Sequence, residues 1–307
     1  MGVGASRAYR RGTRIAALGA VIACALSLPA LAATAEAGIK KTPEIQAHRG
    51  GTLKTVKGKQ KPVLPEETLD TFRNAAKKGF VLELDVKLTA DNIPVVMHDA
   101  SLDRTTNCEG NVADVFATVL RAECRVDLLG TDGNDKPMKA NDDRRAPVPT
   151  LKEFLKLAKK KGSKINLEIK NIPGEPDFDP TSAYAETVAA AIKASKFPVK
   201  KLIVQSFFKP NLDVIAADPY FDKAKLSYLS LSATNTAFRD AAAMAGFDYI
   251  SPQWPVSADH VSESHELGLK VAPFTVDAKA DPRAAAAAGV DAIITNDPLL
   301  ARKLYSK

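Results

Sequence analysis

The chain has little of what zinc proteins and nucleic-acid-binding proteins need. Its 307 residues include three cysteines and four histidines, which do not cluster at the spacings that bind zinc. Its formal charge is +7, yet it has no basic stripe with interleaved aromatic residues, so we expect no nucleic-acid partner. It also lacks a GxGxxG loop after the first predicted strand, which argues against an open dinucleotide-binding sheet.

The first 37 residues are typical of a secretion signal with a short leader. Four arginines between Arg7 and Arg14 precede an apolar segment from Ile15 to about Ala33 that ends in small residues, as in a cleaved signal peptide. An uncleaved membrane anchor is the alternative, and Cys24 in a loose lipoprotein box makes lipid anchoring a minor one. We predict a secreted or extracytoplasmic protein without stable membrane insertion, whose domain spans residues 38–307.

Cleavage of the signal leaves Cys108 and Cys124 as the cysteines of the mature chain. An even pair in an exported protein is a candidate disulfide, and two free thiols are the alternative. A bridge here would close a loop for which chain entropy predicts about 3 kcal/mol of stabilisation. Because the loop begins shortly after His98 and Arg104, the bridge would stiffen one wall of the site described below.

Strand-like and helix-like segments alternate from Ile45 to the C-terminus. We count eight strands and eight helices, besides an antiparallel return strand over Ile93–Ala100. At this length the pattern predicts a (β/α)8 TIM barrel with a β-hairpin extension after the second strand. The polar stretch Thr131–Arg145 is predicted to be surface loop. The eight predicted barrel strands are Ile45–His48, Val81–Val86, Lys164–Lys170, Leu202–Phe207, Leu226–Leu229, Asp248–Ser251, Lys270–Val276 and Ala292–Thr295.

Three carboxylates lie on two of these strands. Glu83 and Asp85 stand two apart in a strand and therefore share one face, and Glu168 ends the next barrel strand. Functional groups of such barrels lie at the carboxyl ends of the strands. Three acids offer only oxygen ligands, which suits Ca²⁺ or Mg²⁺ better than zinc, and the extracellular setting favours Ca²⁺.

Two histidines complete the candidate site. His48 ends the first strand and His98 ends the return strand. Beside a metal and cationic side chains, they suit phosphoryl chemistry, in which one imidazole removes a proton and the other donates one to the leaving oxygen.

An alternative is that the same residues have a purely structural role. Glu83 and Asp85 could instead pair with Arg49 and Lys170 in an ion network. Phe274, with Trp254, either packs or forms an apolar wall for a substrate.

The motifs AHRG, PEET, GFVLELDVKLTADNIPVVMHDASLDRTTNCEGNV, VPTLKEFLKLAKKKGSKINLEIK and GVDAIITNDP resemble the glycerophosphodiester phosphodiesterase family. The resemblance runs from about Ile45 to Leu304 and implies the barrel shared with phosphatidylinositol-specific phospholipases C. It also implies hydrolysis of a small glycerophosphodiester to glycerol 3-phosphate and an alcohol. By resemblance His48 and His98 are the acid/base pair, Glu83, Asp85 and Glu168 the metal ligands, Arg49 and Lys170 phosphate contacts, and Glu66 a supporting residue.

Three positions depart from the family pattern. Glu67 replaces the Asn of PENT, Phe274 stands where a Trp commonly precedes Thr-Val, and Thr295-Asn296-Asp297-Pro298 replaces TDxP. None of these changes removes a proposed ligand, acid or base.

Two other functions stay open. A phospholipase acting on intact lipids would need an exposed apolar rim, which the polar loops Gly130–Ala146 and Ile172–Thr181 do not suggest. A binding protein that captures a phosphorylated ligand without turnover would not need both histidines and all three carboxylates. The released alcohol and the oligomeric state are not predicted.

Overall fold

A nearly closed barrel of eight parallel strands carries the helices on its outside, which confirms the predicted fold class. The computed structural model describes residues 41–131, 137–140, 144–277 and 282–306, all within one unit, Ala37–Lys307. The predicted signal segment therefore lies outside the described residues. The strands are β1 (Glu44–Ala47), β2 (Leu53–Val56), β3 (Lys59–Pro62), β4 (Val81–Leu88), β5 (Pro94–Val96), β6 (Arg125–Val126), β7 (Leu128–Thr131), β8 (Pro137–Lys139), β9 (Ala146–Pro147), β10 (Ile165–Ile169), β11 (Leu202–Ser206), β12 (Lys225–Ser230), β13 (Tyr249–Pro252), β14 (Lys270–Val271) and β15 (Ala292–Thr295).

Strands and helices alternate along the chain much as predicted. Around the barrel the strand order is β14, β13, β12, β11, β10, β4, β1 and β15. The helices are α1 (Leu69–Lys77), α2 (Ala117–Glu123), α3 (Leu151–Lys161), α4 (Ala183–Ser195), α5 (Lys209–Ala216), α6 (Thr236–Met244), α7 (Ala258–Glu266), α8 (Pro282–Ala287) and α9 (Pro298–Tyr305). Each of these helices except α2 corresponds to a predicted helix. The sequence did not predict α2.

The barrel closes between β14 and β15 through isolated hydrogen bonds. The prediction of a strand continuing to Val276 was wrong, because regular pairing stops at Val271 and Pro273 has no N–H to donate to a ladder. The backbone N–H of Asp291 donates to Val271 O at 2.9 Å, and that of Ile294 donates to Pro273 O at 3.0 Å. These bonds complete the rim on which Phe274 lies.

The predicted hairpin extension is present. β5 runs antiparallel to β4, with Val96 opposite Val86. The following region is less irregular than predicted: it contains α2 and the antiparallel pairs β6/β9 and β7/β8. Of the predicted surface loop Thr131–Arg145, residues 132–136 and 141–143 lie outside the described part. A further antiparallel hairpin, β2/β3, follows the first strand.

Local sequence signals explain where helix α3 begins and ends. Thr150 and Glu153 form a reciprocal capping box at the start of α3, and Gly162 ends it in the left-handed conformation at φ 66°. The apolar residues Leu151, Phe154, Leu155 and Ala158 of α3 are buried. Phe154 meets Phe72 of α1 edge to face with centroids 4.6 Å apart. This packing joins α3 to α1, which contacts β4, and α3 itself contacts β5.

The disulfide between Cys108 and Cys124 is present, as predicted, with an S–S distance of 2.07 Å across 16 residues. Both cysteines contact a second, small apolar core that includes Met97 and Leu102. The disulfide thereby attaches the segment that carries Asp99 and Arg104 to this small apolar core. Within the described ranges, no helix has the length and apolarity needed to cross a membrane.

Candidate active site

The three predicted carboxylates come together inside the barrel. Register pairs Glu168 of β10 with Asp85 of β4, and Glu83 precedes Asp85 on the same face. Their exposed fractions are 1% for Glu83, 1% for Asp85 and 4% for Glu168. One oxygen from each lies within 4.8 Å of the others, so the three could share one cation.

The chemistry of this cluster fits a hard metal ion. Burial, with the charge of Asp85, raises the pKa of Glu83 well above its usual range and that of Glu168 to about 8, although Lys170 opposes the latter. Asp85 Oδ2 is buried and has no hydrogen-bond partner among the described residues. Buried carboxylates with an unused oxygen ligand are the donor set that Ca²⁺ and Mg²⁺ prefer.

Two cationic side chains, Lys170 and Arg49, lie next to the carboxylates. Lys170 Nζ lies 3.0 Å from Glu168 Oε1 and 3.4 Å from Asp85 Oδ1. Arg49 Nε lies 3.6 Å from Asp85 Oδ2, and its backbone N–H donates to Glu83 Oε2 at 2.8 Å. The ion network that the sequence left as an alternative therefore exists in part. Both cations also line the cavity described below, so they are available to a ligand.

The turn after β1 sets His48 and Arg49 in place. Arg49 has φ 50°, and Gly50 and Gly51 follow with φ 90° and 75°. A Cβ on Gly50 would lie 2.5 Å from Thr71 Cγ2, so both the conformation and the close packing require glycine. The AHRGG sequence is thus a tight turn that aims two polar side chains into the barrel mouth.

His48 is held by a residue that the sequence reading did not assign to the site. Its Nδ1 lies 2.8 Å from Asn296 Oδ1, and Asn296 Nδ2 donates to Asp277 Oδ2 at 2.8 Å. Since a carboxylate only accepts, Asp277 fixes the amide so that its oxygen accepts from His48 Nδ1. Burial, assisted by Arg49, lowers the pKa of His48 to about 3. His48 is therefore a neutral imidazole with its proton on Nδ1, so that the lone pair of Nε2 is the basic position.

The hydrogen-bond partner of His98 is a carboxylate, whereas that of His48 is an amide. Its Nδ1 lies 2.5 Å from Asp99 Oδ1, and Asp99 also accepts from Arg104. Burial, with the charges of Lys170 and Arg49, lowers the pKa of His98 below its usual value, although Asp85 and the hydrogen bond to Asp99 act in the opposite direction. A carboxylate stabilises an imidazolium more than an amide does, so the two histidines are unequal.

Glu66, for which the family resemblance implies a supporting role, contacts an arginine on each side of the site. Arg104 Nη2 donates to Glu66 Oε1 at 2.7 Å, and Arg49 Nη1 donates to the same oxygen at 3.1 Å. Burial raises the pKa of Glu66, but the two arginines outweigh it and lower the value to about 2. Glu66 is a fixed anion that orients Arg49.

A cavity of about 480 Å³ opens above these groups. Phe274 lines it, as the apolar-wall prediction requires, and meets Phe207 edge to face at 5.7 Å between centroids. Trp254 packs instead against the main core. The lining residues are His48, Arg49, Glu83, His98, Glu168, Lys170, Ile172, Glu175, Gln205, Phe207, Leu229, Leu231, Phe274, Thr275 and Ile294. Asp85 and Glu66 contact lining residues from beneath.

Comparison with known proteins identifies the family. The model of the glycerophosphoryl diester phosphodiesterase family matches residues 48–300, which include both histidines and all three carboxylates. The chain belongs to this family. As a member, it is an enzyme that hydrolyses glycerophosphodiesters, and the resemblance stated from its motifs is confirmed.

Individual relatives agree with the family assignment. A glycerophosphodiester phosphodiesterase of Caldanaerobacter subterraneus subsp. tengcongensis is 32% identical over 82% of this chain and 93% of its own. One from Bacillus subtilis (strain 168) is 29% identical over 84% of this chain and 85% of its own. An Oleispira antarctica phosphodiesterase, solved with the product sn-glycerol-3-phosphate, shares the fold with a TM-score of 0.65 at 23% identity, covering 87% of this chain and 98% of that one.

The family departure at Glu67 has a structural explanation. Glu67 has φ 57°, and its Oε1 accepts from the backbone N–H of Asp85 at 3.0 Å. Burial, with the charges of Asp85 and Glu83, raises the pKa of Glu67 well above its usual range. Glu67 Oε1 thus accepts as the side-chain oxygen of an Asn can, while Oε2 has no hydrogen-bond partner among the described residues.

One further polar residue at the site, Gln205, was not predicted from the sequence. Its Nε2 donates to Glu83 Oε1 at 2.9 Å. Thr275, which the sequence places at the carboxyl end of the seventh strand, lines the cavity. A signal for Gln205 was available, because it lies opposite Glu168 in the register of neighbouring strands. A polar side chain on the interior face of such a strand needs a buried partner.

Proposed function

We propose that this chain is a metal-dependent phosphodiesterase that releases glycerol 3-phosphate and an alcohol from glycerophosphodiesters. The observation that carries the proposal is the placement of three carboxylates, with oxygens within 4.8 Å of one another, beside two histidines on one cavity. The Oleispira antarctica phosphodiesterase in complex with sn-glycerol-3-phosphate supports the choice of product.

Glu83, Asp85 and Glu168 would hold the cation. When bound, it would supply positive charge to balance the negative charge that develops on the phosphoryl oxygens. Ca²⁺ is favoured over Mg²⁺, because all donors are oxygens and an exported enzyme meets abundant Ca²⁺.

Arg49 and Lys170 bind the phosphate in this proposal. Arg49 presents a guanidinium fixed by Glu66 at 3.1 Å, a group suited to two parallel hydrogen bonds to phosphate oxygens. Although burial opposes it, Asp85 and Glu168 raise the pKa of Lys170 above its usual range and keep it charged. The two cations orient the phosphorus toward both imidazoles.

The histidines divide the proton transfers. His48, neutral and with Nδ1 donating to Asn296, takes a proton on Nε2 from the nucleophile, which is water or the neighbouring glycerol hydroxyl. His98, whose positive form Asp99 stabilises, donates a proton to the alcohol oxygen. With water as nucleophile, a P–O bond forms to the water oxygen, the P–O bond to the alcohol breaks, and glycerol 3-phosphate results; the solvent then takes the proton from His48 and returns one to His98. With the glycerol hydroxyl as nucleophile, the same exchange of bonds gives a cyclic phosphate, which water opens to glycerol 3-phosphate in a second step with the two histidine roles reversed.

A coupled assay for glycerol 3-phosphate released from glycerophosphocholine tests the proposal. We expect turnover that a chelator abolishes and Ca²⁺ restores, and a His48→Ala variant that folds but is slower by about two orders of magnitude or more. Binding without turnover would favour a capture protein, and activity confined to bilayers would favour a phospholipase. Full activity in His48→Ala would contradict the assigned role.

We also propose that the protein is exported and acts outside the cytoplasm, with lipid anchoring as the minor alternative. The basic and apolar pattern of residues 1–37 supports this. Mass spectrometry of the mature N-terminus from culture medium tests it. A protein that retains Met1 in the cytosolic fraction would contradict it.

A further inference from the structure

Lys87 is a fully buried cation at the edge of the site. It follows Asp85 by two residues on β4 and so lies on the same face, and its side chain is 0% exposed. Its ammonium donates to Glu175 Oε2 and, at 3.0 Å, to Asp177 Oδ1. Because a buried charge is costly without partners, these two carboxylates explain why Lys87 is tolerated there.

The loop between β10 and α4, which carries both carboxylates, is anchored at several points. Asn171 Nδ2 donates to Asp179 O at 2.7 Å, and Asn171 Oδ1 accepts from Asp179 N at 2.9 Å. Phe178 meets Phe208 edge to face with centroids 5.2 Å apart. Together with Lys87, these contacts hold Glu175 in one position.

That position is the outer wall of the substrate cavity. Glu175 lines the cavity, and its side chain is 29% exposed, compared with 1% for Asp85. Leu231, 70% exposed, lines the mouth. The cavity therefore has a buried end, where Arg49 and Lys170 are placed to bind phosphate, and an outer end with an acid.

The outer end has the chemistry of a site for an organic cation. Two carboxylates against one ammonium leave one net negative charge in the cluster of Lys87, Glu175 and Asp177. Asp177 Oδ2 is buried without a hydrogen-bond partner among the described residues, so this charge is incompletely balanced. Apolar side chains line the same cavity, namely Ile172, Leu229, Leu231, Phe274 and Phe207, whose ring centroid lies 5.7 Å from Lys170 Nζ. An anion among apolar and aromatic groups favours ammonium ligands.

We propose that Glu175, held in place by Lys87, selects glycerophosphodiesters whose alcohol carries a positive charge, such as choline or ethanolamine. The inference rests on the proposed function, since phosphate bound by Arg49 and Lys170 directs the alcohol toward the outer end. A neutral alcohol such as glycerol gains no charge pairing there. Glu175 is thus a specificity-determining residue, and Lys87 is its positioning residue.

The test compares diesters with cationic and neutral alcohols on matched variants. Hydrolysis and calorimetric binding of glycerophosphocholine and glycerophosphoglycerol are measured for the wild type, Glu175→Gln and Glu186→Gln. Glu186 is the control, because its carboxylate bonds Ser182 and lies outside the cavity lining. We expect Glu175→Gln to weaken kcat/KM for glycerophosphocholine by about fivefold to tenfold, mainly through KM, and to change glycerophosphoglycerol by less than about twofold.

The outcomes separate this inference from the proposed function. Equal losses on both diesters, or no change on either, would overturn the selection by Glu175. Selective binding of glycerophosphocholine that Glu175→Gln abolishes, without any turnover, would uphold the selection and refute the hydrolytic function. Lys87→Met should reduce the preference in the same direction, and if this variant does not fold, Glu175→Gln alone decides.

Discussion

Asn296 accepts a hydrogen bond from His48 Nδ1 at 2.8 Å, across the seam where the last barrel strand meets the first. Asp277 fixes the asparagine by accepting from both its side-chain Nδ2 and its backbone N–H, each at 2.8 Å. The tautomer and the ring orientation of His48 are therefore set by residues nearly 250 positions later in the chain.

We expect Asn296→Ala to lower kcat by about 10- to 100-fold with little change in KM, because the ring of His48 loses its orientation but the phosphate contacts remain. Asn296→Asp places a carboxylate beside the ring and raises the pKa of His48. The acid limb of the pH–rate profile should then move to higher pH. Steady-state kinetics across pH check both variants, with Asn74→Ala as a control outside the cavity. An unchanged kcat in Asn296→Ala would show that the hydrogen bond has no role in turnover.

Asp99 should control the basic limb of the pH–rate profile. Because its carboxylate raises the pKa of His98, Asp99→Asn lowers that pKa, and the protonated form needed to donate to the alcohol is lost at lower pH. We expect kcat to fall by about 10- to 100-fold and the basic limb to shift downward. Asp103→Asn, a nearby exposed change, is the control. A basic limb that does not move would assign the acid to another group.

Removal of the cation should make stability depend on pH in a defined direction. The pKa of Glu168 is raised from 4.5 to about 8, so the metal-free folded protein binds more protons than the unfolded chain, and stability falls as pH rises through about 8. The lowered pKa of His48 has the opposite effect only below its usual value of 6.5. Between about pH 6.5 and about pH 8, the melting temperature in chelator should therefore decrease.

Two additions to this melting experiment identify the source of the effect. Ca²⁺ should restore stability most at the upper end of the range, because a bound cation replaces the missing protons. Glu168→Gln should lessen the decrease in chelator, since the raised pKa values of Glu83 and Glu67 remain, and should abolish the response to Ca²⁺. A flat profile in chelator for the wild-type protein would mean that the carboxylates are balanced by Arg49 and Lys170 alone.

Local sequence was sufficient for the parts of the site that lie within one strand. Glu83 and Asp85 follow from period-two alternation, and Glu168 follows from its place at the end of a strand. The hairpin that brings His98 back was also predictable, because the break between its strands is too short for a parallel crossover. The barrel itself follows from eight alternations of strand and helix.

Contacts between distant loops were not predictable in the same way. No spacing rule connects His48 with Asn296 or Lys87 with Glu175, since each pair meets only when the barrel is assembled. By sequence Lys87 begins a short polar segment, and its burial against two carboxylates is visible only in the structure. The Lys-rich segment after β1 has only a weak apolar alternation, which does not predict the pairing of β2 with β3.

The disulfide should matter for both stability and the placement of Arg104. Its loop of 16 residues predicts about 3 kcal/mol from chain entropy, and Cys108→Ala/Cys124→Ala should lower the melting temperature by about 6 to 12 °C in a domain of this size. The segment between His98 and Cys108 carries the groups that orient His98 and Glu66, so we expect kcat to fall more than KM rises. Thermal melts and kinetics of the variant check this, with the reduced wild-type protein as the matched control. If reduction leaves the melting temperature within about 2 °C, the bridge would not constrain the unfolded chain as the loop length predicts.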